Sequence, residues 1–473
     1  MNDISKAIKK VLFVFLLCFF VLISFITYFE INTAPKIVSN PLNKRLWAKR
    51  NEVLRGTIYD KNLQPLTKSQ KVDELTQKRE YTGGAIFAHV LGYVDQKYGI
   101  TGLERKYDAD LMAEDISLTN IFSFTNKKEE KIGHDLVTTL DMNLQKKAYE
   151  MLGNQVGSVV ALNPKTGAIL AMTSTPSFDP NDLQNTWKDI NADKNRPLLN
   201  RAVSGLYPPG STFKTVTAVS ALENISDVKT KTYKDNGRLV FNSKESLGNF
   251  EGETLGNLSF MNAYVHSSNV VFGGLGLTLG NSKLLTTAEK FYFNKDIPSD
   301  GIVIDHSIFP KYKSNEAGNI AQSAIGQSGV LASPMQMALV ASTIANNGVM
   351  MEPFLVDKVQ NSKGTVLKTF TPTAISTVTT KENANYIKDM MRGVVTSGTG
   401  RGINYAGLNI CGKTGTAENF VAGKEAEAHS WFIAFAPYDD PQIAVAVIVE
   451  NGGQGAGAAA NIAGQLIKQQ LKK

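Results

Sequence analysis

Cysteine is nearly missing from this chain of 473 residues, with two in all. One, Cys18, lies inside an apolar run and the other, Cys411, far downstream, so no intramolecular disulfide is expected and the redox compartment stays open. Two cysteines so far apart make no zinc module. The five histidines show neither H-E-x-x-H nor any similar ligand spacing, and neither a metal nor a cofactor is implied. Internal repeats and low-complexity tracts are absent as well, which leaves an ordinary globular composition, 42% hydrophobic and 20% charged, with room for two or three domains.

Long hydrophobic runs are scarce too, and the exception is informative. After Lys6, Lys9 and Lys10 comes an uncharged stretch from Val11 to Phe29, long enough to cross a bilayer as one helix. No small-residue cleavage site precedes Glu30, and Cys18 is flanked by Leu17 and Phe19, so the segment reads as an uncleaved signal anchor rather than a signal peptide or a lipidation site. Its orientation is undecided by charge. Lys6, Lys9 and Lys10 on one side are nearly cancelled by Lys36, Lys44, Arg45 and Lys49 on the other. A formal net charge of +7 suits anionic lipid headgroups or wall polymers and is equally common in proteins with neither; no nucleic-acid partner is expected.

The stretch "LYPPGSTFKTVTAVSALENI", Leu206 to Ile225, is the first with chemistry in it. Pro208, Pro209 and Gly210 break what precedes, Ser211 suits a helix start, and Phe213, Val216, Val219 and Leu222 recur at helical spacing. The opposite face carries Ala218 and Ala221, so between Ser211 and Leu222 Lys214 is the lone ionisable side chain in an enclosed helix. Enclosure removes hydration and makes the neutral amine accessible as a general base. Residues three apart share a helix face, so that amine and the Ser211 hydroxyl can meet, as an activated nucleophile requires. The plain alternative is an N-cap serine followed by a lysine that reaches water. Indeed Ser226 and Lys229 repeat the S-x-x-K spacing in a polar stretch without the apolar helix.

The rest of the chain supplies a frame. Residues 1–10 form a tail and 11–29 the anchor; 30–145 are a reduced pedestal or linker region, too broken for a large core of its own; 146–473 are the main domain. "GSVVALNPKTGAILAMTS" from Gly157 and "HSWFIAFAPYDDPQIAVAVIVENGG" from His429 read as two hairpins, the second turning at Pro437 to Pro441. The chain closes with a helix presenting Ile462, Leu466 and Ile467. Strands at both ends with helices between predict an α+β fold, an antiparallel sheet flanked by helices.

Two more short patterns follow the first in order. "AYVHSSNVVF" offers Ser267 and Asn269, and "ICGKTGTAEN" offers Lys413, Thr414, Gly415 and Thr416. Gly415 lacks a side chain near the strand-forming end of the domain, which lets a bound backbone come close. Each pattern is weak alone. Lys165 to Gly167 is a second K-T-G in a hairpin turn, where the lysine is solvated. The ordered set S-x-x-K, S-x-N, K-T-G is far stronger than its parts.

With that set in place, the chain resembles a class B penicillin-binding protein, and the resemblance runs nearly its whole length. "RGTIYDKN" (Arg55 to Asn62), "GITGLERKYD" (Gly99 to Asp108), "LVTTLDMNLQ", "NPKTGAILAMTSTPSFDPN", "NRAVSGLYPPGSTFK" and "AIGQSGVLASPMQMA" are all similar to stretches of that family. Asp60 and Gly99 stand close together where many members carry a long insertion, so the match is to the short members, the penicillin-binding protein A type. Neither C-terminal repeats nor a glycosyltransferase domain is expected.

The resemblance implies a transpeptidase fold shared with serine β-lactamases, a peptidoglycan D,D-transpeptidase activity on D-Ala-D-Ala stem peptides, and covalent inhibition by β-lactams. It implies Ser211 as nucleophile and Lys214 as base, with Ser267 relaying a proton and Asn269 binding the peptide backbone. Lys413 lends positive charge, and Thr414 and Thr416 hold the substrate carboxylate. Backbone N–H groups of Ser211 and Thr416 form the oxyanion hole. It also implies a single-pass anchor in the bacterial cytoplasmic membrane, an extracytoplasmic catalytic domain and a SEDS-family membrane glycosyltransferase as partner. The alternatives are a D,D-carboxypeptidase or a mainly non-catalytic activator of that polymerase. A class A β-lactamase requires a deacylating glutamate, and none in a convincing loop stands between Asn269 and Lys413.

Overall fold

The structure is a computed structural model that describes residues 2–34, 47, 50–73, 76–113, 131–242, 245–421 and 424–472. Lys36, Lys44, Arg45 and Lys49 of the basic connector, and most of the lysine-rich stretch after Thr125, lie outside the described residues.

Helix α1 (Asn2–Tyr28) carries the apolar run, with Phe13, Phe15, Phe20 and Phe25 all exposed. It is long and apolar enough to cross a membrane. Among the described residues none buries its apolar surface.

The main domain is built on a five-stranded sheet. Both hairpins form where the sequence places them: β1 (Gly157–Leu162) pairs antiparallel with β2 (Ile169–Thr175), and β4 (Lys424–Ala436) with β5 (Ile443–Val449). An additional strand, β3 (Cys411–Val421), lies along β4, giving the order β2-β1-β5-β4-β3 with every pair antiparallel. Strand β5 reads IAVAVIV, without a polar residue, because both of its faces are covered. Ala444, Ala446 and Ile448 join one core with Met335, Met337 and Val340 of α5 (Pro334–Ala345), while Val445 and Val447 join a second with Ile462 and Leu466 of α7 (Ala458–Leu471). The period-2 alternation of one strand thus feeds two hydrophobic layers. Helix α5 is buried all round, and it starts cleanly: the Ser333 hydroxyl accepts from the Gln336 N–H, with Pro334 at the first helical position.

The reduced N-terminal region is stitched into this body. Its strand Ile58–Tyr59 pairs parallel with Asp135–Thr138, which pairs antiparallel with Val356–Gln360 from late in the chain. Ile58, Leu66, Leu103 and Leu111 belong to the same apolar cluster as Val160 and Ile433. Arg55 and Glu104, from the two short stretches quoted from this region, meet there. Arg55 Nε lies 2.6 Å from Glu104 Oε2 and Arg79 Nε 2.8 Å from Oε1, with all three side chains buried.

Candidate active site

Ser211 stands on a 3₁₀ turn (Gly210–Phe213) that runs into α3 (Lys214–Asn224). The turn is clamped from several sides. Gly210 donates to the Gly326 carbonyl (3.1 Å), the Thr212 hydroxyl to the Pro209 carbonyl (2.7 Å), and the Trp431 indole N–H to the Pro208 carbonyl (3.0 Å). Two glycines let β3 close on it. Gly210 has φ +52°, and a Cβ there would stand 2.5 Å from the Thr416 carbonyl oxygen. A Cβ on Gly415 would stand 2.8 Å from the Thr212 methyl and 3.0 Å from the Pro209 carbonyl. The backbone that approaches Gly415 in this structure is that of the Ser211 turn.

Lys214 is fully enclosed. Its Nζ donates to the Ser267 carbonyl (2.6 Å), the Ser267 hydroxyl (3.1 Å) and Asn269 Oδ1 (2.7 Å). The direct contact with the Ser211 hydroxyl that the spacing predicts is not among the hydrogen bonds of the described residues. The amine is drawn instead to the carbonyl and amide oxygens of the S-x-N element, the stronger acceptors. Burial pushes the Lys214 amine well below its ordinary value, with the Lys413 charge adding to the effect and Asp235 opposing it. A neutral amine satisfies the two carbonyl-type oxygens with its two N–H groups and keeps a lone pair for a proton.

Lys413 is enclosed as well, and burial lowers it to about 7. Its Nζ lies 2.8 Å from the Ser267 hydroxyl and 3.1 Å from the Thr414 carbonyl. Ser267 Oγ thus sits between two lysine amines, and its backbone holds φ +59°, a left-handed conformation that a non-glycine residue keeps only where its surroundings dictate it. Aromatic rings wall the pair. Lys214 Nζ is 5.8 Å from the Phe272 ring centre and Lys413 Nζ 5.5 Å from that of Tyr264.

Asn269 is committed at both ends of its amide, accepting from Lys214 and donating to the Gly248 carbonyl (2.9 Å). In this structure it holds the lysine. Thr414 Oγ1 meets Thr399 Oγ1 at 2.6 Å, and Thr416 Oγ1 accepts from the Gly455 N–H at 3.3 Å. Strand β3 is the sheet edge among the described residues, and its outer side faces the Ser211 turn.

The duplicate motifs fall elsewhere. Lys229 pairs with Glu382 (2.8 Å), and Lys165 in its hairpin turn pairs with the Asp440 carboxylate. A cavity of about 690 Å³ opens away from the motifs, where residues 88–106 meet residues 178–203, and none of the motif residues lines it. Thr399, Tyr264, Asp235 and Asn249 were not singled out by the sequence. Tyr264 stands three residues before Ser267 in the same stretch, whereas no spacing links Thr399, Asp235 or Asn249 to the motifs.

The pattern described as the penicillin binding protein transpeptidase domain matches residues 157–468, which hold all three motifs in order. The chain belongs to the penicillin-binding proteins. A second pattern, the penicillin binding protein A dimerisation domain, matches residues 55–131, the region of the Arg55–Glu104 pair. This penicillin-binding protein is 33% identical over 468 residues to the peptidoglycan D,D-transpeptidase PbpA of Mycolicibacterium smegmatis, covering 95% of this chain and 94% of that one. It is 30% identical to the peptidoglycan D,D-transpeptidase MrdA of Acinetobacter baumannii, covering 82% and 65%. Among solved structures, penicillin-binding protein A from M. tuberculosis as its penicillin G acyl-enzyme complex superposes with a TM-score of 0.81 at 30% identity, covering 89% of this chain and all of that one. The D,D-transpeptidase domain of a peptidoglycan glycosyltransferase from Eggerthella lenta gives 0.79 at 32%, covering 89% and 99%. The α+β reading, with a sheet flanked by helices and a small N-terminal region, is the fold this penicillin-binding protein has.

Proposed function

We propose that this chain is a peptidoglycan D,D-transpeptidase that works through a serine acyl-enzyme and is trapped by β-lactams. The observation that carries the reading is the Ser267 hydroxyl held between two enclosed lysine amines, 3.1 Å from Lys214 and 2.8 Å from Lys413, beside the clamped Ser211 turn.

Ser211 Oγ attacks the carbonyl carbon of the penultimate D-Ala while its proton passes to the neutral Lys214 amine. The oxyanion is met by the backbone N–H groups of Ser211 and Thr416, a contribution of roughly 3 kcal/mol per donor. As the peptide C–N bond breaks, the proton moves from Lys214 through Ser267 to the leaving nitrogen, and D-Ala departs. The ester is then attacked by the amine of a second stem peptide, whose proton returns through Lys214, freeing Ser211 and leaving a cross-link. Lys413 places positive charge beside Ser267, and the hydroxyls of Thr414 and Thr416 bind the terminal carboxylate. Gly415 lets β3 approach the serine, and Asn269 holds Lys214. With a β-lactam the broken C–N bond leaves its nitrogen tethered, so the resolving amine is excluded.

The substrate's position outside the cytoplasmic membrane sets the topology: residues 1–10 inside, α1 as a single pass, and everything after it outside. A SEDS-family membrane glycosyltransferase is the partner proposed for α1 and the N-terminal region. Acylation by labelled penicillin tests the reading. Mass spectrometry should place the label on the peptide containing Ser211. Full labelling of Ser211→Ala overturns the assignment. Release of D-Ala with hydrolysed rather than cross-linked product would make the enzyme a carboxypeptidase.

A further inference from the structure

Beneath the S-x-N element lies a polar layer that no step above uses. Asp235 closes the short strand Tyr233–Asp235 and is fully enclosed. Its Oδ2 accepts from the Ser268 hydroxyl (2.6 Å) and from Asn249 Nδ2 (2.8 Å), and its Oδ1 accepts from Asn249 Nδ2 (2.9 Å) and the Gly237 N–H (2.8 Å). Asn249 turns its Oδ1 the other way, accepting from the Asn269 N–H (2.8 Å) and the Val270 N–H (3.2 Å). Asn269 Oδ1 then receives Lys214 Nζ. One unbroken path therefore runs from the Asp235 carboxylate through Asn249 and Asn269 to the amine. Ser268, the middle residue of the motif, is a second link: its hydroxyl donates to Asp235 and accepts from the Val271 N–H (3.0 Å) at the start of α4 (Asn269–Lys290).

A buried carboxylate is expensive unless charge or several donors meet it. Among the described residues, the donors within hydrogen-bond reach of Asp235 are all neutral. We propose that Asp235 is a positioning residue for acylation: through Asn249 and Ser268 it fixes the element that holds the Lys214 amine, and it sets a negative charge behind that amine. The proposal rests on the serine–lysine reading above. When Lys214 takes the serine proton it becomes a cation in an enclosed site already shared with Lys413, and a fixed negative charge behind it lowers the energy of that state. The charges facing Lys214 are Lys413 from β3, which makes it less basic, and Asp235, which makes it more so. Tyr264 on the neighbouring helix is held neutral, its phenol pushed upward by burial. Lys234 and Arg238, near Asp235 in the chain, Glu251 and Glu253, which follow Asn249, and His266, which precedes Ser267, are all exposed to solvent.

The test is the rate of acylation by fluorescent penicillin against pH in the full-length protein. Asp235→Asn keeps the shape and removes the charge, so the plateau rate should fall about tenfold, the size of a lost charge-assisted hydrogen bond. Its acid limb should move to lower pH, because without the carboxylate the amine deprotonates more readily. Ser268→Ala keeps the charge and breaks one link, so its plateau should fall while its limb stays in place. An Asp235→Asn limb that superimposes on wild type, in a protein shown by melting to be folded, overturns the proposal. So does a Ser268→Ala limb that moves equally. Should Asp235→Asn not fold, the Ser268→Ala plateau decides, a fall supporting the proposal and an unchanged rate overturning it. Labelling that survives Ser211→Ala would strike the transpeptidase reading instead, whatever these two variants do.

Discussion

Burial acts in opposite ways on the charges of the N-terminal region and on those beside Ser267. In the N-terminal region Glu104 is enclosed between Arg55 and Arg79, and Arg55 also reaches Asp108 (2.7 Å). Burial alone would strip these charges, but Glu104 and Asp108 more than offset it for Arg55, whose basicity rises. Against the same opposition from burial, Arg55 and Arg79 hold Glu104 below its ordinary range. In the candidate active site two lysines are enclosed as completely, the Lys413 charge adds to the effect of burial on Lys214, and no carboxylate forms an ion pair with either among the described residues. Both are pushed toward neutrality. The paired cluster keeps its charges and ties the two halves of the small region together; the unpaired one gives up charge, as the proposed base requires.

The largest expected effect comes from forcing a permanent charge into the second cluster. A guanidinium is not deprotonated in proteins, so Lys214→Arg retains the cation and loses the base. The acylation rate should fall by roughly 100- to 10,000-fold. Stopped-flow acylation within a few-fold of wild type would show that Lys214 serves only to fill space.

Breaking the paired cluster should act on stability instead. Glu104→Gln leaves two buried guanidiniums facing a neutral amide and should destabilise the protein by about 3–5 kcal/mol in urea titrations. Because Glu104 is held below its ordinary value, its contribution is present above about pH 4.5 and is lost as pH falls through the lower, native value. The gap between variant and wild type should therefore close on acidification. At a temperature where both are folded, the variant should acylate at the wild-type rate. A large loss of acylation there would mean that the two clusters are coupled.

The smallest effect has the opposite sign. Lys413→Met removes an amine that burial holds near 7 against an ordinary 10.5. Between those values the unfolded chain binds the extra proton, so wild-type stability rises with pH across that window. At pH 6 the methionine variant should be inactive yet more stable by about 1–4 kcal/mol. The gain should shrink toward pH 10. A variant less stable than wild type at pH 6 would show that the Lys413 hydrogen bonds outweigh its desolvation.

The lysine cluster could be read in part from residue order, for identifiable reasons, and the arginine–glutamate cluster could not. Ser211 and Lys214 stand three apart after a Pro-Pro-Gly break in an apolar helix, so local periodicity alone brought them to one turn and made the lysine buried. Both hairpins and the closing helix followed from alternation and turn residues. Arg55 and Glu104 were noticed as members of two stretches, but nothing in their separation said that they touch. The hydrogen bonds that Lys214 makes here were not legible, because helix geometry offered Ser211 whereas the oxygens of Ser267 and Asn269 that take the amine come from a distant loop.

The sequence by itself determined that Lys214 would be enclosed, that the S-x-x-K, S-x-N and K-T-G elements occur in order, that an apolar run near the N-terminus could span a bilayer, and that strands at both ends would pair. Short-range periodicity and turn chemistry carry all of that. Only the tertiary structure decided that Ser267 would stand between two amines, that Gly415 would make room for the nucleophile turn, and that Asp235 and Asn249 would lie under the motif. Those outcomes depend on how β3, α3 and the loop before α4 close on one another. That closure is set by long-range packing and by the need of every buried polar group for a partner, which no local pattern records.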